Sequence, residues 1–185
     1  KGKMNEKKLN NEDKKLIEAC LKGDSLAQKR LFKKYYNLMF AICLRYTNDQ
    51  DNAKEILQEG YIKVFNNIAK FKFEGNLSSW IKRIMINTAI DRYRKTVSEP
   101  DKIDLENNEN ISTKADVYAS LEKEDLLKCV QKLPNGYRTI FNMYVIEGYS
   151  HKDIARELGI NEGTSKSQLF KAKQMLQGMV NELFK

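Results

Sequence analysis

Residues 150–173 read SHKDIARELGINEGTSKSQLFKAK, and local chemistry alone places two helices and a tight turn in them. Ser150, with Asp153 three residues on, has the pattern of a capping box, so a helix opens there. Its apolar residues Ile154, Ala155 and Leu158 run into Gly159, the residue type that tolerates the left-handed end of a helix. Asn161 then caps a longer helix that can run to about Leu183. Short helix, tight turn and fresh cap together make a helix-turn-helix. On the long helix Leu169, Ala172, Leu176, Met179 and Leu183 recur at spacings of three and four, the expected buried seam. At ~100° per residue, Lys166, Ser167, Phe170 and Lys171 fall on another face close to the helix start. A recognition helix sets such residues against base edges in the major groove, lysine suiting guanine or phosphate and phenylalanine a thymine methyl. The competing reading is an ordinary amphipathic helix with a solvated basic face.

Upstream, Leu121 to Leu133 has apolar residues at 121, 126, 127, 130 and 133, a helix that Pro134 stops. Another carries Tyr137, Ile140, Phe141, Tyr144 and Val145 on its expected inner face and ends at Gly148. With two prolines and nine glycines, the 185-residue chain has few of the turns a β-rich fold needs. Three cysteines (Cys20, Cys43, Cys129) and one histidine (His151) lie far apart without ligand spacing, which argues against a zinc site and a disulfide framework. Nucleotide-binding glycine loops, HExxH and GxSxG are missing, so no catalytic residue, metal or cofactor is expected. The longest apolar run, Leu38 to Leu44, falls far short of the about 20 residues that cross a bilayer. No signal peptide is evident, and a soluble cytoplasmic chain is expected.

Charge divides the chain. Residues 1–98 hold 21 Lys/Arg against 11 Asp/Glu, residues 99–125 hold 3 against 9, and residues 126–185 hold 9 against 5. Two basic blocks thus flank an acidic joint, within a net charge of +8. The joint opens at Pro100 and mixes Asp101, Asp104, Glu106 and Glu109 with asparagines and hydroxyls, too little apolar surface to offset its ordering entropy. The expectation is an all-α fold of two small helical domains, 12–96 and 121–185, joined by a flexible acidic linker over 97–120. Residues 1–11 read as a disordered tail, and Lys1-Gly2-Lys3 before Met4 as a cloning remnant. The basic blocks suit a polyanionic partner such as nucleic acid.

In the first block, residues 12–22 and 26–47 read as helices around Gly23-Asp24-Ser25. Leu16, Ile17, Cys20 and Leu21 face inward on one, with Leu31, Phe32, Tyr35, Met39, Ile42, Cys43 and Tyr46 on the other. A third helix opens at Asp51, with Ala53, Ile56, Leu57, Val64, Phe65 and Ile68 inward. Its other side carries Asp51, Glu55, Gln58, Glu59 and Lys63, a mostly acidic stripe. Such a stripe is either solvated or docks on a basic surface of a protein partner.

Next comes FKFEGNLSSW, residues 71–80, where aromatics, lysine and glycine interleave outside any helical period. Aromatic faces beside cations are what a single-strand binder or a flipped-base pocket needs, although Phe71, Phe73 and Trp80 also suit a core. The following helix, about 78–95, turns Trp80, Ile81, Ile84 and Tyr93 partly inward. Elsewhere it carries Asn87, Asp91, Arg94 and other cations, groups that can read an adenine edge and hold phosphates.

These residues resemble the extracytoplasmic-function sigma factors of bacterial RNA polymerase. The resemblance rests on DNAKEILQEGYIKVF, then FEGNLSSWIKRIMINTAIDRYRK, then LPNGYRTIFNMYVIEGYSHKDIARELGINEGTSKSQLFKAK, in the family's order and spacing. The wording YVIEGYSHKDIA and GTSKSQL is most similar to members from the Bacteroidetes. The resemblance implies that 12–96 is region 2 and 121–185 region 4, with core RNA polymerase and promoter DNA as partners. Asp51, Glu55, Gln58, Glu59 and Lys63 would then dock on the β′ coiled coil. Phe71, Phe73, Asn76, Ser79 and Trp80 would form the pocket for a flipped −10 base, with Asn87, Asp91 and Arg94 beside the point of melting. Region 4 would sit on the β flap and read the −35 duplex through Lys166, Ser167, Phe170 and Lys171. An anti-sigma factor is a further partner that the family suggests, with no insertion into a membrane.

The chain departs from the family at Ser165, a seam position where a β-branched apolar residue is common, and its hydroxyl must bond back to a carbonyl or face a partner. Gln168 and Lys171 stand where many relatives carry arginine, which weakens bidentate guanine reading. Beside an alternative sigma factor, a free-standing helix-turn-helix regulator stays open from the residues alone, while nothing motivates an enzyme.

Overall fold

The computed structural model describes residues 11–73, 75–98 and 121–183, and all regular structure among them is helical. Eight α-helices among these residues run in order: α1 Asn11–Leu21, α2 Ser25–Tyr46, α3 Gln50–Asn67, α4 Leu77–Ser98, α5 Leu121–Gln131, α6 Asn135–Phe141, α7 His151–Leu158 and α8 Glu162–Leu183. A 3₁₀ turn, Ile68–Lys70, follows α3, and a π-helical segment, Asn142–Ile146, follows α6. Of the expected tail over 1–11 and acidic linker over 97–120, residues 1–10 and 99–120 lie outside the described residues, while Asn11 begins α1 and Val97 and Ser98 end α4. The described residues form two compact units. The first takes residues up to Cys43 together with Ala53–Thr88, and the second Leu44–Asn52 with residues from Ala89 on.

In the first unit, α1 ends where Gly23 takes φ +78°, and the Asp24 amide donates back to the Ala19 carbonyl. Asp24 Oδ1 then accepts from the Leu26 and Ala27 amides at 2.8 and 3.2 Å, restarting the chain as α2. Tyr35 of α2 donates its hydroxyl to Asp13 Oδ2 of α1 at 2.9 Å, and Lys34 reaches Asp13 and Glu12. Behind these pairs Ile17, Leu31, Met39, Ile56, Val64, Leu77, Ile81 and Met85 form the fully enclosed core. Gly60 is required there, because a Cβ would collide with Met85 Sδ. One expectation is corrected: Leu21, the last residue of α1, is exposed, not inward. On α4 Ile81 is buried and Trp80, Ile84 and Tyr93 are half-buried, the partly inward face expected, and Met85 and Ile86 are buried beside them.

The second unit is built on Ile140, Met143, Ile154, Leu158, Leu169 and Ala172. The helix expected to pass smoothly through Tyr144 and Val145 changes register instead. Glu147 donates its amide five residues back to the Asn142 carbonyl, the π pattern. Buried Asn142 donates its side-chain amide to the Arg138 carbonyl at 2.9 Å, an acceptor that its own backbone amide shares. The wider turn rotates Met143 inward and leaves Tyr144, Val145 and Ile146 exposed, correcting the expected inner face. In the same unit Arg45 pairs with Glu147 at 2.9 Å, and Gln131 and Asn142 donate to the Leu44 and Arg45 carbonyls. The seam of α8 also stops early: Leu176 and Met179 are half-buried and Leu183 is exposed, because no described element covers its last turns.

Candidate nucleic-acid interface

The aromatic stretch 71–80 separates into a buried foundation and an exposed tip. Phe71 is buried, and its ring meets Phe73 at 6.0 Å and Trp80 at 5.5 Å, both tilted by 58°. Phe71 is therefore the buried member of the expected pocket, in the core position that its sequence also allowed. Phe73 stands 37% exposed at φ +56°, a left-handed conformation that an aromatic residue rarely takes. Gly75 follows at φ +80°. Asn76 Oδ1 accepts from the Ser78 amide at 2.8 Å and so caps α4, with Ser79 exposed and Trp80 half-buried in the first turn. Further along α4, Asn87 is exposed, and Asp91 is paired with Arg94 one turn on.

Along α3, Asp51, Glu55 and Gln58 are exposed, and half-buried Glu59 and Lys63 pair at 3.0 Å. Beside Gln58 a pocket of about 410 Å³ opens, walled by Phe32, Tyr36, Leu57, Tyr61, Ile62 and Phe65. Burial pushes the Tyr61 phenol well above its ordinary value, and Lys54 adds a basic side chain to the lining. The sequence pattern missed this pocket because part of its wall comes from α2.

The helix-turn-helix forms as its capping residues dictate. Ser150 Oγ accepts the Asp153 amide at 3.1 Å. The reciprocal bond differs from a full capping box, since the Ser150 hydroxyl donates to Asp153 Oδ2 at 2.6 Å. That bond, with Arg156 nearby, holds the Asp153 carboxyl below its usual range. Gly159 ends α7 at φ +67°, and Asn161 Oδ1 accepts the Thr164 amide at 2.7 Å to start α8. Lys166, Ser167, Phe170 and Lys171 all emerge on the exposed side, Phe170 62% exposed. Ser167 donates to the Thr164 carbonyl at 3.1 Å and Lys166 lies 3.9 Å from Glu162. A row of two cations, a hydroxyl and an aromatic at the start of an accessible helix can hold phosphates and touch base edges.

Sequence reasoning left one group unplaced. Ser165 is completely buried, and its Oγ lies 2.9 Å from His151 Nδ1. The imidazole stacks on Tyr144 at 4.4 Å, and Lys173 Nζ stands 6.0 Å from that ring. A polar residue in an apolar seam signalled a partner but not which one.

All three cysteines are buried free thiols. Among the described residues no cluster of three or more His, Cys, Asp or Glu could hold a metal ion, and no helix is long and apolar enough to cross a membrane.

Comparison with known proteins gives two family matches, Sigma-70 region 2 over residues 31–98 and Sigma-70 region 4 over residues 123–176. The ECF RNA polymerase sigma-E factor of Haemophilus influenzae is 27% identical, over 92% of this chain and 96% of its own length. The ECF RNA polymerase sigma factor SigW of Bacillus subtilis is 28% identical, over 92% and 97%. In fold, the chain resembles the sigma factor RpoE of Bartonella quintana, crystallised with the anti-sigma factor NepR. The TM-score is 0.54 at 24% identity, over 83% of this chain and 96% of that one.

Proposed function

This chain belongs to the extracytoplasmic-function sigma factors, alternative initiation factors that direct RNA polymerase to specific promoters, and from that membership we propose how its surfaces divide the work. Asp51, Glu55, Gln58, Glu59 and Lys63 dock on the β′ coiled coil of core polymerase, with the neighbouring apolar pocket taking part of the contact. Phe73 and Trp80, carried on buried Phe71, receive a flipped base of the −10 element, and Asn76 and Ser79 line the same mouth. Asn87, Asp91 and Arg94 lie beside the point of strand separation. The face of Lys166, Ser167, Phe170 and Lys171 reads the −35 element as duplex, in a region that also rests on the β flap.

One observation carries this reading: a single chain presents both an exposed aromatic held beside a ring platform and a basic recognition face at the start of a capped helix. The first suits an unstacked base, and the second suits an intact major groove. Domains 12–96 and 121–185 are the proposed carriers of the two activities, and an anti-sigma factor is a candidate inhibitor on the family resemblance. The wording around YVIEGYSHKDIA favours a Bacteroidetes origin, and work alongside polymerase argues for the cytoplasm.

The test is size exclusion of the purified chain with core RNA polymerase. Co-elution is expected, and it should be lost in the double variant Glu55→Lys with Glu59→Lys while helical content stays intact. Lys166→Ala with Lys171→Ala should co-elute normally and lose upstream promoter selectivity. Equal behaviour of both double variants and the original chain would overturn the residue assignments.

A further inference from the structure

We propose that His151 is a positioning residue for the recognition helix, acting through Ser165, so that promoter discrimination depends on the bond between them. The inference rests on the reading of α8 as the −35 reader. Ser165 lies one residue before Lys166 and two before Ser167, in the first turns of α8. Its side chain is fully buried at the point where α8 crosses α7, and His151 opens α7. The 2.9 Å contact between Ser165 Oγ and His151 Nδ1 therefore joins the start of one helix to the start of the other.

The surroundings hold the imidazole as firmly as the hydroxyl. Tyr144, turned outward by the π segment, stacks on it with ring planes 25° apart. Lys173, two turns beyond Ser165, returns to the Tyr144 ring and so closes a circuit from α8 through the π segment and α7 back to α8. An apolar seam contact resists separation but slides readily, whereas a hydrogen bond from a buried hydroxyl to a half-buried imidazole specifies one registration of the two surfaces. A small roll of α8 would move Lys166 and Lys171 together relative to any base edge, since both are carried on the same rigid turns. Loss of this bond should therefore degrade discrimination between bases more than attraction to phosphates.

The geometry supplies its own conservative variant, His151→Asn. An asparagine side chain places a hydrogen-bonding atom where an imidazole carries Nδ1, while glutamine places it one bond further out. The experiment uses the full chain assembled with core RNA polymerase and a promoter library randomised over the upstream duplex segment, with transcripts sequenced. The original chain and His151→Asn should return the same sharp upstream motif. His151→Ala, His151→Gln and Ser165→Ala should each broaden it, lowering discrimination about fivefold, the equivalent of one net hydrogen bond of about 1 kcal/mol. The pair His151→Ala with Ser165→Ala should be no worse than either alone, because both remove one interaction.

An unchanged motif in His151→Ala and Ser165→Ala, or effects that multiply in the double variant, would overturn the inference while leaving the −35 reading intact. Lys166→Ala with Lys171→Ala is the control for that reading. If it leaves the motif unchanged, both fall. Should His151→Ala unfold the block, as read by loss of helical signal, His151→Gln and Ser165→Ala carry the same comparison.

Discussion

Gly159 and Phe73 occupy the same sparsely used region of backbone space, at φ +67° and φ +56°, each a few residues before a helix proposed to meet DNA. At Gly159 the conformation is nearly free, because glycine has no Cβ to clash. At Phe73 an aromatic side chain carries a steric cost of about 1–2 kcal/mol. The two turns are therefore maintained differently. The first is set by local chain chemistry, and the second by the Phe71 ring packed beside Phe73 and itself backed by Trp80. Strain held by its surroundings and aimed at solvent fits a site that must receive something.

Four outcomes sharpen that contrast, in falling order of effect. Phe71→Ala removes the buried support and should cost about 3–5 kcal/mol in denaturant unfolding, taking the loop's order with it. Gly159→Ala should cost about 1–2 kcal/mol through backbone strain alone, since no atom lies within 4 Å of the added methyl. Phe73→Gly should go the other way: relief of strain raises stability by about 1 kcal/mol or less, set against the entropy of a new glycine, while promoter opening falls. If Phe73→Gly instead destabilises like Phe71→Ala, the ring is core and the contrast breaks.

The smallest effect is a pH dependence. Burial first, then Lys166, lowers the His151 imidazole below its ordinary 6.5, with Lys173 adding to the fall and Glu162 opposing it. These groups face it from α8, and the Tyr144 ring faces it from the π segment. Below 6.5 the unfolded chain takes up a proton that the folded chain refuses, so stability falls with pH from there down to the lower folded value. The unfolding midpoint should drop slightly between neutral and mildly acidic pH, and less so in His151→Asn.

Legibility in the sequence followed the same division. Helix starts and stops at Ser150, Gly159 and Asn161 were readable because a capping residue acts on its neighbours, whatever the rest of the chain does. The π turn was not, because no periodicity signals an extra residue per turn. Within the aperiodic stretch 71–80, spacing could not tell buried Phe71 from exposed Phe73. The acidic stripe of α3 was visible as a helical face, but its neighbouring pocket needed Phe32 and Tyr36 from another helix. Ser165 announced that its hydroxyl needed either a backbone carbonyl or a partner, and only the fold identified His151.

The most direct measurement compares Phe73→Ala with Lys166→Ala/Lys171→Ala in assembled holoenzyme on one promoter selected by the original chain. Duplex binding and permanganate reactivity of unpaired thymines are read together. The account predicts that Phe73→Ala still binds upstream duplex but leaves thymines near the −10 element unreactive, whereas the lysine pair fails at binding. Normal melting by Phe73→Ala, or melting and binding lost alike in both, would contradict the division into a strand-opening loop and a duplex-reading helix.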